Sequence, residues 1–192
     1  MTGSQKARLR RRLRKLRRSF VAELGPRREV EERALAHKLL DKLAPKAPCV
    51  VSSYLATDNE INLDVFNKGW LELGRSLAYP AIEQRGETLQ MIFRQVDADS
   101  QLLSVPSYGI MQPNEDCPEV APELILTPLV ACSRNGARLG QGGGFYDRIF
   151  ARFPNAQRIG IAWPCQIFDP LPMESHDVSL HAVVTPQEWI AV

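Results

Sequence analysis

Apolar residues near the start of the chain recur at helical spacing: Leu9, Leu13, Leu16, Phe20 and Leu24 are separated by four, three, four and four positions. Arginines fill the remaining faces, and Gly25-Pro26 supplies a stop, so the pattern predicts an amphipathic helix with solvated cations. A second helix is predicted from about Glu29 to Leu43 through Ala34, Leu35, Leu39 and Leu40, ending before Pro45. The periodicity then changes. "CVVSSYLAT" (49–57) is β-branched and aromatic and predicts the first buried strand. Residues 60–74 return to a broadly helical arrangement through Ile61, Val65, Trp70 and Leu73, closed by Gly74. "SLAYPAI", "LQMIFRQV" and "ELILTPLVAC" predict further strands, weakened around Pro80 and Pro128. "YDRIFARF" predicts a short helix ending at Pro154, and "RIGIAW" and "AVVT" two late strands.

Strands alternating with helices predict a single α/β domain, residues 1–192, with a mostly parallel central sheet flanked by helices. Residues 1–25 form a basic helix packed on it. With 44% apolar and 24% charged residues among 192, the chain has material for a core without disulfide staples. Cys49, Cys117, Cys132 and Cys165 form no C-x-x-C pair, and His37, His176 and His181 stand at no metal-ligand spacing from them. Free thiols in a reducing cytoplasm follow as the expectation, and no apolar run suits a membrane span. The net charge of +2 is uneven: residues 1–20 hold nine Lys/Arg and no acid, leaving 15 basic against 22 acidic residues in the rest.

The densest chemistry is "RLGQGGGFYDR", residues 138–148. An apolar strand, a polar turn, four glycines in five positions and then a helix form the order expected for a loop beyond the carboxyl end of a strand. Glycine N–H groups can curl into an anion-binding nest, and the following helix points its positive end the same way. Arg138 brings a planar cation suited to phosphate oxygens, and Asp147 a carboxylate suited to Mg²⁺. The loop fails the G-x-x-x-x-G-K-[ST] template, because Phe145 and Tyr146 follow the glycines. It fails G-x-G-x-x-G because position 145 is Phe.

The segment "ELILTPLVACSRNGARLGQGGGFYDR" resembles the hallmark of the 5-formyltetrahydrofolate cyclo-ligase family. "KARLR" (6–10), "YLATDNEIN" (54–62) and "IAWPCQIFDPLPMESHDVSLHAVVTP" match further family motifs in order. The resemblance covers nearly the whole chain. It implies a fold similar to the CoA-transferase and ribose-phosphate isomerase group, with ATP as co-substrate and Mg²⁺ as metal. By position, Lys6 and Arg10 would reach the ATP phosphates. Arg138, Leu139, Gly140, Gln141, Gly142, Gly143, Gly144, Phe145 and Tyr146 would wrap them, with Arg138 and Tyr146 as the catalytic side chains. Leu55 and Glu60 would bind folate together with Gln141 to Phe145. Asp147 and Asp177 would serve Mg²⁺. The chain departs from the family's habits at Gln112-Pro113, at Cys132-Ser133 and at His181.

The implied reaction closes 5-formyltetrahydrofolate to 5,10-methenyltetrahydrofolate with release of ADP and phosphate, by phosphorylating the formyl oxygen before N10 attacks. Such a transfer asks for alignment and charge neutralisation rather than a covalent nucleophile. A cytoplasmic monomer without nucleic-acid or membrane partners is expected. Two other readings stand beside it. Nine cations in twenty residues also suit an RNA-binding module, and the glycine loop also suits a kinase of another small metabolite.

Overall fold

Gly25, with φ +51°, turns the chain between helix α1 (Gly3–Leu24) and helix α2 (Arg27–Leu43). The computed structural model describes residues 3–46, 50–100, 102–105, 110–171 and 178–192. After α2 come β1 (Val50–Ser52), α3 (Asp64–Glu72) and the long hairpin of β2 (Ser76–Arg85) and β3 (Thr88–Val96). A second hairpin, β4 (Leu102–Val105) and β5 (Ile110–Pro113), precedes β6 (Leu124–Pro128). The short β7 (Ala131–Cys132) and β8 (Arg138–Leu139) lead into α4 (Phe145–Arg152). Strands β9 (Gln157–Ile161), β10 (Ala182–Val184) and β11 (Trp189–Ala191) follow.

Among the described residues, the main sheet runs β11-β10-β9-β6-β1-β2-β3. Strands β10, β9, β6, β1 and β2 are parallel, and an antiparallel strand closes each edge. Strand periodicity sorts the core into two layers. Leu77, Leu124, Leu126, Ile159, Ile161 and Val184 face Leu35, Leu39, Phe66 and Trp70 of α2 and α3. Ala78, Ile125 and Val183 face Ile149 and Phe150 of α4. Each Leu, Ile, Val or Phe among them contributes about 1.5–3 kcal/mol on burial.

Two predicted strands are shorter than the sequence suggests. The chain leaves the sheet after Ser52 rather than continuing to Thr57, and the strand over 123–132 breaks at Pro128. Both breaks shape the cleft described below. Pro80 remains within β2, because β1 pairs only as far as Ala78 and asks no bond of the missing N–H.

Helix α1 forms as expected, and Leu9, Leu13, Phe20 and Leu24 of its apolar stripe pack inward, but Leu16 does not. Leu13, Val21 and Leu24 are buried, whereas Leu16 is 47% exposed and Arg17 is 1% exposed. At that turn Arg17 and not Leu16 faces inward, so the arginines do not all lie in solvent. Leu13 packs on Val130, Ala131, Ala137 and Leu139, which ties the helix to the glycine segment.

Candidate functional site

From β1 the chain crosses through α3 to β2 on one side of the sheet; from β6 it crosses through α4 to β9 on the other. Strands β1 and β6 are neighbours, so the topology reverses between them, and open α/β sheets bind ligands at the carboxyl ends of strands at such a point. A cavity of about 570 Å³ opens there. Lys6 and Arg10 of α1, Tyr54, Leu55, Thr57 and Glu60 after β1, Pro128 at the end of β6, and residues 138–147 form its walls. Pro80, Ile82 and Met91 close the far side.

The glycine loop is launched by the β7–β8 hairpin, in which Ala131 pairs with Leu139 and Cys132 with Arg138. Gly142 has φ +114° and Gly144 φ +65°, values that L side chains rarely adopt. A methyl group at Gly142 would meet Arg10 only at ordinary contact distance, 3.6 Å. Conformation, not crowding, therefore explains this glycine. At Gly140 crowding matters, since a side chain there would lie 2.6 Å from Arg138 Nη1. The loop's carbonyls are taken up by guanidinium groups. Arg10 Nε donates to Gly140 O at 2.9 Å, Arg14 Nη2 to Gln141 O at 3.1 Å and Arg148 Nη2 to Gly143 O at 3.1 Å. The main-chain oxygens that would repel an anion are thus engaged by cations.

Arg138 lies beneath the loop rather than reaching out from it. Its side chain is buried, lies near the rings of Tyr146 and Phe150, and donates from Nη2 to Asp147 Oδ1 at 2.5 Å. Its Nε is buried without a hydrogen-bond partner among the described residues. Burial, with the charge of Glu60 adding to it, pushes the Tyr146 phenol well up, so this hydroxyl remains a donor rather than a base at neutral pH. Phe145 opens α4 and carries Arg148 over its ring at 4.8 Å.

Glu60 is buried on the opposite wall. Its Oε2 accepts from Thr57 N at 3.0 Å and Thr57 Oγ1 at 3.2 Å, and its Oε1 accepts from Gln141 Nε2 at 3.0 Å. Arg17 Nη1 stands 3.8 Å from Oε1. Desolvation raises the Glu60 pKa, while the Thr57 bonds, Arg17 and Gln141 oppose that rise. Tyr54 donates to Ile61 O at 2.9 Å, and Trp163 Nε1 to Asn59 O at 3.0 Å, which fixes the loop that carries Glu60.

The structure therefore brings Lys6, Arg10, Leu55, Glu60 and residues 138–147 around one cavity. Arg14, Arg17, Tyr54 and Thr57 belong to the same constellation and were missed by the sequence reading. Arg17 stands four residues after Leu13 and four before Val21, a helical register that marks it as inward-facing.

Asp147 lies at the cavity and could hold Mg²⁺, but one of its oxygens is already engaged by Arg138. No group of three or more His, Cys, Asp or Glu suited to a metal occurs among the described residues, and Asp177 lies outside them. A single partly engaged carboxylate fits an ion that arrives on phosphate oxygens rather than a resident one. The departures from the family's habits are structural. Gln112 Oε1 accepts from Ile82 N at 3.0 Å and ties β5 to β2. Ser133 Oγ accepts from Ala137 N at 3.1 Å and caps the turn before the glycines. Cys132 is buried, with its thiol pushed up to about 12 by desolvation, and is unreactive. His181 Nδ1 accepts from Arg158 N at 3.1 Å. Cys117 and Cys165 are also free thiols, and no described helix is long and apolar enough to cross a membrane.

A cleft at the reversal point of an open α/β sheet, with glycine main chain on one wall and a buried carboxylate on the other, defines a small-molecule enzyme site. Comparison with known proteins narrows the class. The chain belongs to the 5-formyltetrahydrofolate cyclo-ligase family, whose profile matches residues 2–186, and it is a ligase acting on a small-molecule folate. The 5-formyltetrahydrofolate cyclo-ligase of Escherichia coli K12 is 32% identical over 148 residues, spanning 72% of this chain and 80% of that one. The Haemophilus influenzae 5-formyltetrahydrofolate cyclo-ligase is 25% identical over 190 residues, 96% and 99% of the two chains. The solved structure of Aquifex aeolicus 5,10-methenyltetrahydrofolate synthetase superposes with a TM-score of 0.80 at 25% identity, covering 97% of this chain and 92% of that one.

Proposed function

We propose that the chain uses ATP to cyclise 5-formyltetrahydrofolate to 5,10-methenyltetrahydrofolate, with release of ADP and phosphate. The single observation that carries this reading is the shared cavity. The glycine loop and its arginines form one wall, and Leu55 and Glu60 form the other.

The chemistry follows from a poor leaving group. A formamide oxygen cannot simply be expelled by N10. Attack of that oxygen on the γ-phosphorus forms a P–O bond, and the bond to the β-phosphate oxygen breaks to release ADP. N10 then attacks the activated carbon, the C–O bond breaks, and phosphate departs with the N10 proton. What remains is the N5–CH–N10 amidinium of the product. Lys6, Arg10 and the amides of residues 140–144 bind and align the polyphosphate. Arg138 supports the loop from below, and Tyr146 offers a hydrogen-bond donor. Glu60 accepts from the donor edge of the pteridine while Leu55 and Phe145 give it apolar surface. Asp147 would hold Mg²⁺, and Asp177 is proposed as its companion; the ion would neutralise phosphate charge.

The test is direct. Purified protein with Mg-ATP and 5-formyltetrahydrofolate should develop the methenyl absorbance and release ADP in equal amount. ATP turnover with another metabolite and none with this folate would overturn the reading in favour of a different kinase.

A further inference from the structure

Two arginines of α1 take no named part in the proposed chemistry, although between them they contact both walls of the cleft. Arg14 Nε and Nη2 donate to Gln141 Oε1 at 3.0 and 2.6 Å. With its oxygen so occupied, the amide presents its NH₂ to Glu60 Oε1, at 3.0 Å. A flipped amide would set NH₂ against a guanidinium and oxygen against a carboxylate, so Arg14 decides the orientation. One turn further on, Arg17 Nη2 lies 3.3 Å from Asp58 Oδ2 and Nη1 lies 3.8 Å from Glu60 Oε1, while Nη1 also donates to Leu129 O at 3.2 Å.

A merely structural residue at position 17 would be apolar. It would continue the line of Leu13 and Val21 without the desolvation cost that a buried guanidinium carries. Its Nε, moreover, is buried without a partner among the described residues, so the cation is not there for complete hydrogen bonding. Its charge is directed at the loop that carries Glu60.

We infer that Arg14 and Arg17 are positioning residues for the folate half of the cleft, Arg14 fixing the amide of Gln141 and Arg17 the carboxylate of Glu60. This rests on the reading of Glu60 as the partner of the pteridine. Helix α1 then serves both substrates: its first two turns face the phosphates, and its next two set the groups that meet the folate.

The test uses the full chain with Arg17→Met, Arg17→Lys and Arg14→Gln, followed by methenyl absorbance while each substrate is varied at saturating levels of the other. Arg17→Met should raise the KM for 5-formyltetrahydrofolate about tenfold, the scale of a lost charge-assisted interaction, with the KM for ATP changed less than about twofold. The charged and titratable groups around Glu60 are Arg17 from α1, Asp58 in its own loop, Tyr54 after β1, Tyr146 from α4, and Arg28 with Glu32 from α2. Arg17 opposes the rise that burial imposes on Glu60, so removing its guanidinium while burial persists raises the Glu60 pKa further. The acid limb of kcat/KM for the folate should therefore move to higher pH in Arg17→Met and return in Arg17→Lys. Arg14→Gln, at a half-exposed site, should raise the folate KM about threefold, as expected for one weakened hydrogen bond. If Arg17→Met does not fold, as judged by circular dichroism, Arg14→Gln decides. An unchanged folate KM in folded Arg17→Met or in Arg14→Gln, or equal rises in both KM values with an unmoved acid limb, would overturn the inference. A wild-type chain that makes no methenyl product would instead overturn the functional reading, and this inference with it.

Discussion

The two walls of the cleft solve opposite problems. The glycine wall is mostly main chain at the surface, with positive φ at Gly142 and Gly144 and carbonyls engaged by Arg10, Arg14 and Arg148. The Glu60 wall is a buried side chain held by Thr57, Gln141 and Arg17. A polyphosphate carries its own charge and many acceptor oxygens, so backbone amides and partly wet cations can meet it. The pteridine proposed for the second wall is neutral and carries its hydrogen-bonding groups along its edge, so a desolvated, pre-oriented carboxylate suits its recognition. The contrast predicts that damage to the first wall is conformational and damage to the second is electrostatic.

The largest effect should come from Gly142→Val. Strain of about 1–3 kcal/mol at a left-handed backbone position should cut kcat/KM for ATP by about fivefold to 150-fold, with a smaller effect on the folate KM. Gly142→Ala should lose a comparable amount, because φ and not side-chain bulk decides; full activity of the alanine variant would break the conformational half of the contrast. Next, Arg138→Met should lower turnover strongly and also destabilise the fold by about 2 kcal/mol, since it strips Asp147 of its partner in a mostly buried pair. Paired activity and thermal-melt measurements would check both. Glu60→Gln should raise the folate KM about tenfold, one charge-assisted bond's worth, with little change for ATP. In the wild type, the folate kcat/KM should lose activity as pH falls through a value above the ordinary carboxylate range of about 4.3, because desolvation raises the Glu60 pKa and protonation removes the acceptor. A limb that persists in Glu60→Gln would assign it to another group. The smallest effect belongs to exposed Arg11 and Arg12: replacing both with Ser should change stability by less than about 0.5 kcal/mol and leave both KM values alone. A lost affinity for RNA in that variant, alongside normal folate turnover, would mark a separate use of the outer face.

Much of this was legible from residue order. The unbroken apolar runs at 77–79, 124–126 and 182–184 marked strands of a sheet flanked by helices, and the run from Arg138 to Asp147 marked one wall of the cleft. Directions were less visible, because an apolar strand looks the same parallel or antiparallel; the edge pairing of β3 and β11 depends on what lies beside them. The inward turn of Arg17 in α1 was hidden for a different reason. Hydrophobicity favours Leu16 inside and Arg17 outside, and the carboxylates that reverse this lie in a loop after β1, Asp58 being 41 residues away in sequence. Arg138 was visible as a cation, but its burial under the loop depends on α4 folding back to supply Asp147, Tyr146 and Phe150.

Gly3, in the first turn of α1, lies on the rim of the cavity. A bulky group attached at this turn would stand beside the proposed entrance for both ligands and should read as inhibition in a binding assay. Val192 is exposed, its N–H bonded to His181 O, and it lines no part of that entrance. A label attached at Val192 is therefore expected to leave ligand binding unchanged.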